Sequence, residues 1–117
     1  MKQFLAVYLG NEASFKASGW NDLSEDERKV REQEGIKAWS AWVEANKASI
    51  IDTGAPLGKT LRTSKSGIES TRNNLTAYTV VRAETLDAAA RLFEGHPHFT
   101  VFPGDAIEIV ECLPMPG

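Results

Sequence analysis

Residues 2–10, Lys-Gln-Phe-Leu-Ala-Val-Tyr-Leu-Gly, alternate in direction as a strand but not in polarity. Phe4, Ala6 and Tyr8 point one way and Leu5, Val7 and Leu9 the other. Neither side is polar, so both sides must be covered. A chain built around such a strand needs helices on one face of its sheet and something else on the other.

The rest of the chain supplies partners for that strand. Asn11 to Asp22 reads as a loop carrying two large apolar residues, Phe15 and Trp20, which pin it to the body or line a pocket mouth. Ser24 and Glu27 form a capping box, and Glu25 and Asp26 suit the positive end of a helix dipole. The helix runs to about residue 48, with Val30, Ile36, Trp39 and Val43 as its apolar stripe and Trp42 at the edge. Gly35 inside it costs about 1 kcal/mol relative to alanine, which suits a close contact. Residues 49–54 read as a short strand. An arm follows, Thr60–Lys65 and Ile68–Arg72 around the turn pair Ser66-Gly67. Residues 75–84 alternate as the clearest strand, and Thr85 caps a helix whose stripe is Leu86, Ala89, Ala90 and Phe93. Gly95 fits the position just past that helix, and Pro97 stops it. Residues 106–113 form the last strand.

The order is β-α-β, an inserted hairpin, then β-α-β. This is the split βαβ arrangement of ferredoxin-like folds, α+β in class, with an antiparallel sheet and helices on one face. At 117 residues it is a single domain spanning 1–117. Tyr8, Ala6, Tyr78, Val80 and Val110 make the second sheet face too apolar to stand open. A homodimer through sheet faces is expected.

Composition removes several function classes. The net charge of −3 argues against bulk nucleic-acid binding, although residues 57–74 carry a local +3 from Lys59, Arg62, Lys65 and Arg72 against Glu69. No apolar run approaches the roughly 20 residues that span a bilayer, so no membrane partner is expected. The opening residues read as a strand rather than a signal peptide. The one cysteine, Cys112, leaves no internal disulfide, and a reducing cytoplasm is the expected compartment. No phosphate loop, dinucleotide fingerprint or nucleophile elbow occurs, so no cofactor is implied. His96-Pro97-His98 offers two ring nitrogens but no clear third ligand for a metal.

The chain resembles the YCII-related family, in its DGPF-like branch, within the dimeric α/β-barrel superfamily. The resemblance rests on the strand ending Tyr8-Leu9-Gly10, on Trp39-Ser40-Ala41-Trp42 and on Leu75-Thr76-Ala77-Tyr78. It also rests on His96-Pro97-His98-Phe99 and on Ile107-Glu108-Ile109-Val110-Glu111 through Pro114-Met115-Pro116. It covers nearly the whole chain and implies a dimeric α/β-barrel. Where the branch carries Asp-Gly-Pro-Phe, this chain has Ser66-Gly67-Ile68-Glu69, so the turn is kept and its acidic residue is lost. For related proteins the resemblance implies an enzymatic role built on a His–Asp pair.

Both histidines lie at one junction, and acid/base chemistry is expected there. His96 is the candidate acid/base, its ordinary pKa near 6.5 suiting work at neutral pH. The alternative is an imidazole that satisfies the last carbonyls of the preceding helix. His98 is the weaker candidate, and Asp52 or Asp105 would orient the imidazole. Tyr8, Trp39, Trp42 and Tyr78 are candidate lining. Glu108 shares a strand face with Ala106, Val110 and Cys112, either as a buried carboxylate or paired with Arg82 at the rim.

Two function classes follow, and a third by analogy. The first is a dimer that binds a small organic molecule and runs a cofactor-independent step. The second is a non-catalytic ligand-sensing or partner-binding dimer. The third, a monooxygenase-like activity, rests on fold analogy alone.

Overall fold

The computed structural model describes residues 1–116. Its elements are β1 (Lys2–Leu9), α1 (Glu12–Ser18), a 3₁₀ turn (Trp20–Asp22), α2 (Glu25–Ala45), β2 (Ile50–Asp52), β3 (Thr60–Ser64), β4 (Gly67–Thr71), β5 (Leu75–Ala83), α3 (Leu86–Arg91), α4 (Pro97–Thr100) and β6 (Ile107–Cys112). The main sheet runs β2-β5-β1-β6, antiparallel throughout, and β3-β4 forms a separate two-stranded sheet. This is an α+β, ferredoxin-like strand order with the hairpin inserted between its second and third sheet strands. No helix among the described residues is long and apolar enough to cross a membrane.

Register decides the faces. Ala6 lies opposite both Thr79 and Ile109, and Val7 opposite Tyr78 and Glu108. Phe4, Ala6 and Tyr8 therefore join Thr79, Val81 and Ala83 beneath the helices, where they meet Ala89 and Phe93 in the core. Leu5, Val7, Tyr78, Val80 and Val110 form the other face. The expectation that put Tyr8 and Ala6 on the open face is corrected here. Both sides of β1 are apolar, so its hydropathy alone does not say which side meets the helices. The open face keeps its apolar character, because Leu5 and Val7 take the places assigned to Tyr8 and Ala6.

The N-caps of α2 and α3 form as expected, whereas α3 ends at Arg91 with Leu92 as its C-cap, four residues before Gly95. Ser24 and Glu27 exchange hydrogen bonds of 3.1 Å each, and the Thr85 hydroxyl accepts from the Ala88 amide at 3.1 Å. The stripes are offset, however. Ile36 is 62% exposed and Val30 is also exposed, while Gly35 is buried and Trp39 and Trp42 pack on the core. Leu86 and Ala90 are exposed too, and α3 buries Ala89. The helix α2 ends at Ala45, a turn before the expected 48.

Residues 11–22 are not a loop. Asn11 caps α1 by accepting from the Ser14 amide at 2.8 Å, and Ser14 returns a bond from the Asn11 amide at 3.1 Å. Gly19 closes the helix at φ 75°. This helix buries no residue, so it had no hydrophobic period by which to be read.

Candidate functional site

A cavity of about 480 Å³ opens between α2, the segment after β2 and the start of β5. Ile36, Trp39 and Val43 line it from the helix, and Gly54, Ala55 and Pro56 from the segment after β2. His98 closes it from α4 and Phe102 from the turn beyond. Its walls are mainly apolar, with His98, Thr53 and Ser40 among the polar groups. This is the size and character of a small-molecule site.

The segment 95–105 builds the histidine side. Gly95 turns the chain at φ 67°, and His96 becomes the N-cap of α4 with Pro97 at the first helical position. Pro97 was expected to stop a helix and instead starts one. The His96 ring therefore does not satisfy the carbonyls of α3. Its Nδ1 accepts the His98 amide hydrogen at 3.0 Å.

That bond sets the tautomer. An accepting Nδ1 carries no proton, so the neutral His96 ring holds its proton on Nε2, which has no hydrogen-bond partner among the described residues. The ring is fully buried among Trp39, Trp42, Tyr8 and Phe93, at centroid distances of 4.4, 4.6, 5.2 and 5.9 Å. Trp39 stands perpendicular to it, the edge-to-face arrangement that a ring quadrupole favours. Burial pushes the His96 pKa down to about 4, with the charge of His98 adding to the effect. His96 is not among the residues that line the cavity.

His98 is. Its Nε2 lies 2.7 Å from the Leu9 carbonyl oxygen, and since a carbonyl only accepts, Nε2 must carry the proton. In the neutral ring Nδ1 is then a free acceptor, with no hydrogen-bond partner among the described residues. Gly104 packs against the Cε1–Nε2 edge of the ring, where a Cβ would meet the His98 Cε1, Nε2 and carbonyl oxygen. Burial lowers the His98 pKa, while the bond to Leu9 and the charge of Asp105 pull it back up. The two histidines thus reverse their expected order: His98 faces the cavity and His96 is sealed behind it.

The carboxylates take other places. Asp52 is exposed and accepts the Gly54 amide at 2.8 Å. Asp105 is exposed and acts on His98 by charge, not on His96. No hydrogen bond or ion pair joins either to His96 among the described residues. Glu108 is exposed on the open sheet face and makes no ion pair with Arg82 among those residues. Among the described residues, no three His, Cys, Asp or Glu side chains converge as metal ligands.

Of the expected lining, Trp39 and Tyr78 border the cavity. Trp42 lies behind His96 and donates its indole N–H to the Leu92 carbonyl at 2.8 Å. Tyr8 is fully buried in the core, 2.8 Å from the Thr79 hydroxyl. Thr79 donates its single proton to the Thr53 carbonyl at 3.1 Å, so Tyr8 must be the donor to Thr79. Burial raises the Tyr8 pKa to about 12. Phe102 went unread because its contact is Gly35, far away in sequence; a Cβ at Gly35 would enter the Phe102 ring.

No protein-family model matches the chain, and no curated protein does either. The fold is similar to a solved structure of 5-chloro-2-hydroxyhydroquinone dehydrochlorinase from Burkholderia phenoliruptrix in complex with 2,5-dihydroxybenzoquinone. The TM-score is 0.52 at 18% identity, over 92% of this chain and 89% of that chain. At this identity the likeness establishes a shared fold.

Proposed function

We propose that the chain is a YCII-related protein, working as a homodimer through its sheet faces, whose cavity binds a small, flat, hydroxylated aromatic or quinone. His98 is the acid/base at that cavity, and His96 positions it. The observation that carries this reading is His98 on the wall of an apolar cavity, with an Nδ1 that makes no hydrogen bond among the described residues. A base needs an unprotonated nitrogen within reach of a ligand hydroxyl and a fixed ring. The Leu9 carbonyl supplies the tautomer, the part usually taken by a carboxylate. The dihydroxybenzoquinone bound by the structural neighbour matches a slot lined by Trp39 and Phe102 with one basic nitrogen. The apolar open face, with Leu5, Val7, Val80 and Val110, supports the homodimer.

The test uses 2,5-dihydroxybenzoquinone and unsubstituted benzoquinone as probes in calorimetry and thermal melting. The hydroxylated probe should bind at least tenfold more tightly. His98→Ala should abolish that preference, and His96→Ala should mainly lower the melting temperature while keeping the preference. Ring deuteration of the probe in D₂O, faster than in buffer and lost in His98→Ala, reads proton transfer. Binding without exchange supports a ligand sensor. If neither probe binds, or if His98→Ala binds like the parent, the site reading is wrong.

A further inference from the structure

Residues 60–71 form a ribbon that has no core of its own. The strands β3 and β4 bond to each other and not to the four-stranded sheet. Leu61 faces Ser70 and Thr63 faces Ile68 across the pair, while Arg62 faces Glu69. Alternation then puts Leu61, Thr63, Ile68 and Ser70 on one side. Arg62 and Glu69 share the other side as a 3.9 Å ion pair. The ribbon is two-faced, and its apolar side is bare: Leu61 is 69% exposed and Ile68 70%.

An isolated two-stranded hairpin is marginal in water, and three strands or a supporting surface are normally needed. This one projects from the body. The radius of gyration is 16.1 Å, whereas a compact chain of this length has about 13 Å. The longest dimension is 54 Å and the shortest 19 Å. The ribbon thus offers an apolar face left largely uncovered by the described residues.

Charge selects the occupant. Residues 57–74 carry +3, and the whole chain carries −3, leaving −6 on the remainder. A second copy of this chain therefore presents an acidic body to a basic arm. We infer that the arm of each protomer lies, apolar face down, on the body of a second copy. The inference rests on the homodimer proposed above and adds a second contact to it.

The arm is also tied to the cavity. Pro56 bridges Ala77, and the Leu57 amide donates to the Thr76 carbonyl at 2.9 Å. Pro56, Thr76 and Ala77 all line the cavity, so seating the arm steadies one of its walls.

Sedimentation equilibrium of the parent, of Leu61→Ser/Ile68→Ser and of Lys59→Glu/Lys65→Glu tests this. Hydrogen exchange of the parent arm amides across a dilution series completes the test. The parent should be a dimer. Both variants should raise its dissociation constant at least tenfold, and added salt should weaken the parent as well. Arm amides should be protected in the dimer and lose protection on dilution. A dimer whose dissociation constant ignores both variants, with arm amides exchanging freely, overturns the arm contact alone. Free arm amides that become protected only when an RNA or heparin is added overturn it in favour of a polyanion. A parent that is monomeric throughout overturns both the arm contact and the sheet-face dimer. If a variant fails to fold, exchange on the parent decides.

Discussion

His96 Nδ1 accepts the amide hydrogen of His98 at 3.0 Å, and this one bond separates the roles of two residues that look equivalent in sequence. It commits His96 to a neutral ring with its proton on Nε2. It also ties the His98 backbone to a buried anchor while the His98 ring reaches the cavity.

Acid should therefore unfold the protein through His96. The unfolded ring takes up a proton near 6.5, whereas the folded ring resists until about 4. Because the folded pKa is lowered, the unfolded state binds more protons within that window. This contribution is fully present above pH 6.5 and is lost as pH falls toward 4. At roughly 1.4 kcal/mol per pH unit, it amounts to about 3 kcal/mol. His98, lowered in the same direction, adds to the trend. Urea unfolding from pH 8 to pH 4 should show the loss, and His96→Gln should flatten the slope. An unchanged slope would count against the assignment.

Tyr8 and Thr79 should respond unequally. Tyr8→Phe removes one donor and leaves the Thr79 proton on the Thr53 carbonyl, at a cost of about 1 kcal/mol. Thr79→Val strands the buried Tyr8 hydroxyl and the Thr53 carbonyl together, at a cost of roughly 1–3 kcal/mol. The double variant should cost less than the sum of the singles. Equilibrium unfolding of all three measures the coupling, and equal single costs would contradict the direction assigned to these bonds.

Gly35→Ala sets two effects against each other. Alanine gains about 1 kcal/mol of helix propensity. Its methyl group would enter the Phe102 ring, and overpacking costs roughly 1–3 kcal/mol. The net expectation is destabilisation by about 1 kcal/mol, relieved when Phe102→Leu is added. A stabilised Gly35→Ala, seen as a rise in the urea midpoint, would mean that the ring moves aside freely.

Gly104→Ala should displace the His98 ring. In ¹⁵N spectra the parent should show a protonated Nε2 and a bare Nδ1, the pattern set by the Leu9 carbonyl. The variant should lose that single-tautomer signature and bind the hydroxylated probe at least tenfold more weakly. Retention of both the signature and the affinity would detach Gly104 from the site.

Local chemistry was legible wherever neighbours in sequence are neighbours in space. The Ser24–Glu27 box, the Thr85 cap and the period-2 strands need no distant partner, whereas the arm's turn, expected at Ser66-Gly67, falls one residue earlier at Lys65-Ser66, with Ser64 opposite Gly67. The helix α1 escaped notice because it buries nothing, although Asn11 and Gly19 marked its two ends. The spacing of Ile36 fits a core stripe, yet the line of contact is rotated by one residue toward Gly35, Trp39 and Trp42. A stripe on a helix with apolar residues on several sides is ambiguous by that much.

The sequence by itself determined the order of the strands, the N-caps of α2 and α3, the presence of the arm and the need to cover both sides of β1, because each follows from local backbone chemistry and alternation. Tertiary structure alone decided which side of β1 lies under the helices and which histidine reaches the cavity. His96 and His98 are two residues apart with the same side chain, so spacing cannot rank them. The Leu9 carbonyl, the indoles of Trp39 and Trp42, and Gly104 rank them, and those partners are brought together only when the sheet and helices close.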